Sequence, residues 1–536
     1  MGKKWWEPST FEGSPNVAIT TVHRPQHARH AQPKQGMRGN PWWILAAVSV
    51  GVIMVGLDAS VVAIANPRIA LDLNASLSDL QWITDAYLLA LASLLIFGGK
   101  LGDMFGRRMM FLVGVVGFAA TSVGIGLIGT VDGVVTMRAL QGVFGALLMP
   151  STLALIRNAF PPHKLNTAIG IWGAASGVSV AAGPILGGLL VEHLNWESVF
   201  YINVPIAVIA VVIGAASIVE SRGDEESRLD VAGILTLSGS LFLFVYGLIK
   251  APEWGWLVPQ TVAFLMGGVL LMAAFIVVER NASDPMLPLR LFANRSLSIG
   301  AAATTINFFA LFGALFFMTL YLQNLQGWSP VETGVRTLPL SAAMMITAPL
   351  SGVITERFGP RPAMVSGLLG AAGALALLSQ LQADSGYGAI WPAFALLGAG
   401  IGLVLTASSD AIVGNAPEED AGVAGGLQST SVQLGAVLGT TILGSVLSSK
   451  VGSTLFEKLT AAGTPDPIAE KLSPAKELVS KGMAPSIPGA PAQLSAAITG
   501  GSHEAFMAGL QTSMWVGAAA AAVGAVLALF VQRAEA

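Results

Sequence analysis

Residues 98–108, GGKLGDMFGRR, place glycines and paired charges between two long apolar runs. A weaker copy of this loop, GVITERFGPR, occupies residues 352–361. A constant shift of 253 residues pairs Gly106 with Gly359 and Arg108 with Arg361. A loop that recurs at a fixed offset between long apolar runs indicates an internal repeat, so we expect two similar halves.

The composition is typical of a membrane protein. Apolar residues make up 53% of the 536 residues and charged residues only 11%, whereas soluble proteins carry about 25% charged residues. The formal net charge of −3 and the lack of a long basic run give no indication of nucleic-acid binding. With no cysteine, six histidines and no HExxH motif, we expect no disulfide, metal or cofactor. No paired nucleophile and base is evident, so we expect no enzyme.

Long apolar runs recur along the whole chain, and about 20 residues suffice for a helix to cross a bilayer. They predict an all-α polytopic membrane protein with fourteen transmembrane helices. The predicted spans are residues 42–65, 82–101, 109–129, 134–156, 168–190, 199–219, 231–249, 257–278, 297–322, 334–355, 363–381, 390–413, 424–447 and 506–531.

The repeat and the lysine and arginine distribution predict the organisation around these spans. Basic residues concentrate in the loops and tails that share a side with the N-terminus, so we expect both termini in the cytoplasm of a multi-pass cell-membrane protein. We expect the following segments: a disordered cytoplasmic tail (1–41), an N-terminal six-helix half (42–220), a linker with two inserted helices (221–296) and a C-terminal six-helix half (297–536), the last containing a long extracellular loop (450–504).

Four motifs, in order along the chain, give a resemblance to a known family. The first span contains Leu57-Asp58-Ala-Ser, and residues 99–108 follow the pattern GxLaDrxGrr. The fourth span carries Arg138-Ala-Leu-Gln-Gly142, and the fifth carries Gly183-Pro-Ile-Leu-Gly-Gly188. The chain resembles the fourteen-helix drug:proton antiporters of the major facilitator superfamily. The resemblance implies a two-half transporter fold, alternating access and a monomer.

The repeated loop predicts a gate on the cytoplasmic side. Glycines permit a tight turn, and arginines can fork onto carboxylates or helix C-termini. We expect Asp103 to accept hydrogen bonds from backbone N–H groups at the start of the third helix, where the helix dipole favours an anion. A simple positive-inside anchor is the alternative interpretation. The predicted gate residues are Gly99, Asp103, Gly106, Arg107, Arg108, Glu356, Arg357 and Arg361.

Three of the charged residues inside the predicted spans form a group, and a charge there costs ~2.5–3.5 kcal/mol on insertion scales. Counted from the span ends, Asp58, Asp85 and Arg138 lie at similar depths in the outer half of the membrane. We therefore predict that they form one cluster that takes up and releases the coupling proton. A buried ion pair with a purely structural role is the alternative.

Two further predictions concern packing and substrate. Pro184 removes a backbone hydrogen bond within the fifth span, and small residues spaced by four permit a close helix crossing. We expect this motif to prevent proton leakage between the halves, with ordinary small-residue packing as the alternative. The motif residues are Gly183, Pro184, Gly187 and Gly188. The candidate cavity residues are Gln141, Asn307, Phe308, Phe312 and Phe316, although the phenylalanines also fit a lipid-facing stripe.

These observations predict a proton-coupled antiporter that exports amphipathic drugs or antibiotics across the cell membrane. Its partners are then a small amphipathic substrate, protons and the lipid bilayer. An exporter of an endogenous product, such as a self-made antibiotic, siderophore or lipid, fits the same residues. A sensor or scaffold on a transporter fold is a weaker alternative, because the intramembrane charges are retained. No GxxxxGK[ST] motif supports an ATP-driven pump.

Overall fold

The computed structural model describes residues 36–222, 230–282, 285, 287, 289–416 and 421–532. Most of the predicted N-terminal tail and part of the predicted linker therefore lie outside the described residues. The regular secondary structure within these ranges is helical throughout.

Several helices begin where the sequence supplies a side-chain cap. Asn40 accepts from the backbone N–H of Trp42 beside a proline at the first helical position, and Ser76 forms a capping box with Asp79. The N-terminal part of the chain contains α1 (Pro41–Asp72), α2 (Leu77–Phe105), α3 (Arg107–Leu127), α4 (Val131–Ala159), α5 (Pro162–His193), α6 (Ser198–Tyr201) and α7 (Asn203–Ser217).

A helix pair follows and then the second set of long helices. The pair is α8 (Val231–Trp254) and α9 (Pro259–Asn281). The second set contains α10 (Arg295–Leu320), α11 (Pro330–Arg336), α12 (Leu338–Phe358), α13 (Pro360–Leu378), α14 (Tyr387–Val413), α15 (Ala421–Ala461), α16 (Asp466–Leu472), α17 (Lys476–Ser480) and α18 (Ala492–Ala528).

The membrane-spanning character of the fold is clear, whereas the number of spans stays a prediction. Within the described residues, 12 helices are long and apolar enough to cross a membrane. Two more helices, α2 with 29 residues and α5 with 32 residues, exceed the ~20 residues that a crossing needs.

The two parts of the chain repeat the same backbone geometry. Gly106 and Gly359, which the 253-residue shift pairs, end α2 and α12 with positive φ angles of 117° and 81°. A Cβ atom on Gly142 of α4 would lie 2.4 Å from the Tyr87 carbonyl oxygen of α2. A Cβ atom on Gly398 of α14 would lie 1.9 Å from the corresponding carbonyl oxygen, that of Leu340 in α12. Both parts therefore bring their second and fourth long helices into backbone contact at a glycine.

Several helices extend beyond, or divide, the predicted apolar spans. The predicted loop 450–504 is largely helical, because α15 continues to Ala461 and α18 begins at Ala492. The predicted tenth span is divided at Thr337 between α11 and α12. Apolar runs mark where the chain meets lipid, but backbone hydrogen bonds carry a helix beyond that limit into water.

Successive long helices run in opposite directions, so their connections lie at two faces. The connections that contain Gly106 and Gly359 lie at one face, which we call the Gly106 face. The turn between α1 and α2 and the α15–α18 connection, residues 462–491, lie at the other, which we call the Lys481 face. Here Lys481 donates from Nζ to the Ala75 carbonyl oxygen at 2.7 Å. Burial lowers the pKa of this lysine below its ordinary value.

Candidate functional site

A buried carboxylate, Asp58 of α1, lies at the centre of a polar network in the N-terminal part of the bundle. Its Oδ2 atom accepts from Arg138 Nη1 at 2.5 Å. Its Oδ1 atom accepts from Gln141 Nε2 at 3.0 Å and from Asn203 Nδ2 at 2.9 Å. We call these four residues the Asp58 network. Both carboxylate oxygens have donors, as a buried charge requires.

Two elements of the bundle hold Arg138 in place. Arg138 and Gln141 lie three residues apart on α4, which puts both side chains on one face of that helix. The guanidinium Nε donates to the Ile83 carbonyl oxygen of α2 at 2.9 Å. Its Cζ atom lies 4.2 Å from the centroid of the Tyr87 ring, within cation–π range. The arginine is 1% exposed, so the ion pair is enclosed by protein.

The structure divides the predicted three-residue cluster. Asp85 is fully buried, but its carboxylate accepts hydrogen bonds from the hydroxyls of Thr440 and Thr441 on α15, the second at 2.7 Å. Depth along the helix was not enough to predict its partner, because residues two apart on a helix point in nearly opposite directions. The Tyr87 ring, two residues after Asp85, therefore lies against Arg138, while Asp85 faces α15.

The end of the loop at residues 98–108 is hydrogen-bonded to the last turn of α7 and to the residues that follow it. Oε1 of Glu220 accepts from the Arg108 backbone N–H at 3.0 Å, and Oε2 accepts from the Met109 N–H at 3.2 Å. Glu220 therefore accepts at the start of α3, while the role predicted for Asp103, whose side chain lies outside the described part, stays a prediction. A Cβ on Gly106 would lie 2.6 Å from this carboxylate, so the close approach requires glycine here. Nη2 of Arg108 donates to the Ala215 carbonyl oxygen at 3.0 Å.

The other predicted gate residues lie at the same face. Gly99 of α2 faces Pro150 of α4, to whose Cβ an added Cβ would lie at 3.4 Å. Arg357 and Arg361, on either side of Gly359, are exposed. Arg107 and Glu356 each have an interaction partner. The Arg108–Ala215 hydrogen bond joins α3 to α7 within the N-terminal part of the chain.

The glycine motif of α5 lies where α5 meets two other helices. A Cβ on Gly183 would lie 1.9 Å from Ser60 Oγ, and one on Gly187 would lie 2.9 Å from Val61 Cγ2, so both glycines face α1. Gly188 faces α11, where an added Cβ would lie 2.6 Å from the Pro330 carbonyl oxygen. The carbonyl of Pro184 in turn approaches Gly334 of α11, whose added Cβ would lie only 2.1 Å away. The motif thus permits close contact both within the N-terminal part and across to the C-terminal part.

The predicted cavity residues of α10 do not share one environment. Phe308 and Phe312 are partly buried, with ring centroids 6.3 Å apart. Phe316 is buried and packs edge to face on Phe317. Asn307 is fully buried and donates to the Ile401 carbonyl oxygen at 3.3 Å, while its Oδ1 has no hydrogen-bond partner among the described residues. Phe316 and Asn307 are therefore enclosed by protein, whereas Phe308 and Phe312 are only half-buried.

Sequence reasoning missed three polar partners of the buried acids. Asn203, Thr440 and Thr441 are uncharged, and small polar residues are common in membrane helices. For Asn203 a signal was available, because it is an amide inside the predicted span 199–219. The glutamate that binds the start of α3, Glu220, gave no signal, since it ends an apolar run as an ordinary surface charge.

Comparison with known proteins agrees with this architecture. Residues 48–440 match the family model described as the Major Facilitator Superfamily. The chain is 47% identical over 522 residues to the Tetracenomycin C resistance and export protein of Streptomyces glaucescens, covering 97% of this chain and 96% of the relative. It is 36% identical over 428 residues to the Puromycin resistance protein pur8 of Streptomyces alboniger, covering 79% and 85%.

Solved structures show the same fold. A bacterial homologue of the human lysosomal transporter Spinster, in an inward-facing and unoccupied conformation, superposes with a TM-score of 0.62 at 18% identity. The match covers 92% of this chain and 99% of that chain. Together with the family model and the relatives, it identifies this multi-pass membrane protein as a member of the Major Facilitator Superfamily.

Proposed function

We propose that this chain exports amphipathic antibiotics or drugs from the cell in exchange for protons. The buried Asp58–Arg138 pair carries the proposal, because an ionisable pair inside a membrane domain is costly and points to a function. Arg138 stabilises the ionised carboxylate, and separation of the pair favours proton uptake by Asp58. The chain is a transporter rather than an enzyme.

The proposed arrangement has two halves, residues 42–220 and 297–536, with α8 and α9 as inserted helices and fourteen spans in total. The Gly106 face lies in the cytoplasm with both termini, since basic residues concentrate on that side. Rocking of the halves exposes the cavity alternately to each face, and the two loops at the Gly106 face bias the side that is closed. The protein works as a monomer in the plasma membrane.

A narrower cargo class is the second candidate. The 47% identical relative is described as a resistance and export protein for tetracenomycin C, which favours export of an antibiotic that the producing cell makes itself. The same proton mechanism serves either cargo. Tetracenomycin C and a lipophilic cation such as ethidium are therefore the two probes that separate self-export from broad drug export.

The test uses everted membrane vesicles with an imposed pH gradient, acidic inside. Wild-type vesicles are expected to accumulate at least one of the two probes. Asp58→Asn should reduce this gradient-driven uptake to the level of vesicles that lack the protein, because the substituted amide does not take up a proton in this range.

Asp72→Asn is the matched control. Asp72 lies on the same helix and pairs with Arg68 at 3.1 Å, but this pair is exposed. The control should transport like the wild type, since exposed pairs contribute little. Intact gradient-driven uptake in the Asp58→Asn variant would falsify the proposal.

A further inference from the structure

The second buried carboxylate, Asp85, joins the two parts of the bundle. It belongs to α2, and both hydroxyls that donate to it, those of Thr440 and Thr441, belong to α15. These partners are 355 and 356 positions away in the sequence. The carboxylate therefore keeps these two hydrogen bonds only while α2 and α15 are in contact.

The neighbouring turn of α2 is also hydrogen-bonded to α15. Gln81 donates from Nε2 to the Thr440 carbonyl oxygen at 2.9 Å. A Cβ on Gly444 would lie 2.1 Å from this nitrogen, so the two helices are in close contact here. We call Gln81, Asp85, Thr440 and Thr441 the α2–α15 latch. Beyond it, towards the Lys481 face, the Lys481–Ala75 hydrogen bond makes a further contact between the halves.

Three cations on the elements around α2 have partners of their own. Arg138 of α4 pairs with Asp58 of α1, and Lys481 after α17 donates to Ala75. Lys250 of α8 also has an interaction partner. What α15 presents to Asp85 are two neutral hydroxyls. An ionised carboxylate in this position is stabilised less than one beside a cation, because hydroxyl donors only partly replace water.

We propose that Asp85 is a proton-sensing residue of the latch, distinct from the Asp58 network, and that its protonation favours closure of the Lys481 face. When Asp85 is ionised, opening of this face returns the carboxylate to water and lowers its free energy. When it is neutral, the closed latch has no charge to desolvate. This inference rests on the proposed proton antiport, and it assigns one event in that cycle to one contact.

The latch predicts a pH-dependent equilibrium between closed and open forms. If closure takes up one proton, the ratio of closed to open molecules falls up to about tenfold for each unit rise in pH. The chain contains no cysteine, so spin labels attach only at introduced sites. Leu194 after α5 and Val335 of α11 are 69% and 47% exposed, and they lie in different halves near the Lys481 face.

The experiment measures the distance between labels on Leu194→Cys and Val335→Cys in the full-length protein in lipid nanodiscs, by pulsed electron paramagnetic resonance. The parent protein should shift from short to long distances as the pH rises. Asp85→Asn should keep the short distance at every pH. Thr440→Val with Thr441→Val should shift the protein to long distances at neutral pH, because the ionised carboxylate loses both donors.

Ser513→Ala is the matched control for loss of a buried hydroxyl. Ser513 of α18 donates to the Leu443 carbonyl oxygen of α15 at 2.8 Å, a bond within one half. In this variant the distance between the labels should change with pH as it does in the parent protein. A pH-dependent distance change in Asp85→Asn equal to that of the parent would overturn the latch.

Failure of the latch and failure of antiport give different results. Suppose that Asp58→Asn abolishes gradient-driven uptake while Asp85→Asn shows the same pH-dependent distance change as the parent protein. The latch proposal is then wrong and the antiport proposal stands. Should Asp85→Asn not fold, the double threonine variant alone decides, and an unchanged distance distribution in it contradicts the proposal.

Discussion

At the scale of single residues, the contributions of Asp58 and Arg138 to stability depend on each other, because both side chains are almost fully buried. Arg138→Ala leaves an uncompensated buried charge and should destabilise the protein by about 3–5 kcal/mol. Adding Asp58→Asn removes that charge, so the double variant should be more stable than Arg138→Ala alone. Apparent Tm values in detergent for the parent, both single variants and the double variant complete the cycle. Additive losses in the double variant would contradict the predicted coupling.

The cost of burying a charge explains which residues of the site could be predicted from the sequence. Asp58 and Arg138 were identifiable because each interrupts an apolar run, and their depths along the helices agreed. The direction of Asp85 was not identifiable, since small errors in helix rotation move a side chain to another neighbour. Asn203 joins the Asp58 network through the packing of α7 against α1 and α3, which no local pattern records.

Glycines at helix crossings make a prediction at the scale of elements. A Cβ on Gly98 would lie 2.0 Å from the Ala146 carbonyl oxygen of α4, a contact within one half. A Cβ on Gly334 would lie 2.1 Å from the Pro184 carbonyl oxygen of α5, a contact between halves. Gly98→Ala should therefore destabilise the N-terminal half by about 1–3 kcal/mol. In Gly334→Ala, by contrast, opening of the Lys481 face should relieve the clash of the added methyl group.

The readout is a cysteine at Ser341, which is 3% exposed at this contact between the halves. A similar strain of about 1–3 kcal/mol would change the open population roughly 5–150-fold. Gly334→Ala should raise the reaction rate of Ser341→Cys with a membrane-impermeant thiol reagent accordingly. Gly98→Ala should lower the apparent Tm without raising this rate. Equal rates in the two variants would show that the α5–α11 contact does not control opening.

Helix ends show what hydropathy alone could not predict. The apolar run 424–447 predicted a helix of ordinary span length, but α15 has 41 residues and α18 has 37. Both continue past the apolar runs because solvent-exposed helices need only backbone hydrogen bonds and tolerant side chains. The repeated loops were predictable in contrast, since the positive φ of Gly106 and Gly359 limits these positions largely to glycine.

At the scale of the whole molecule, the α8–α9 pair contacts both the N-terminal and the C-terminal part of the bundle. The Trp82 ring of α2 packs on Tyr246 of α8, with centroids 5.6 Å apart. Ser445 of α15 donates to the Leu248 carbonyl oxygen of α8 at 2.7 Å. The pair therefore covers the α2–α15 contact from the outside of the bundle. Only 17% of the most apolar stretch of α9 is buried, so most of this stretch faces away from the rest of the bundle.

These positions make the number of spans testable with single cysteines in whole cells. Leu257, between α8 and α9, is 92% exposed, and Ala293, between α9 and α10, is also exposed. With fourteen spans, Leu257→Cys and Ile487→Cys react with an impermeant thiol reagent in intact cells. Lys164→Cys and Ala293→Cys then react only after permeabilisation, because the proposed orientation puts the Gly106 face in the cytoplasm. If α8 and α9 do not cross the membrane, Leu257→Cys must instead behave like Ala293→Cys, and the Ile487 and Lys164 variants still report the orientation of the two halves.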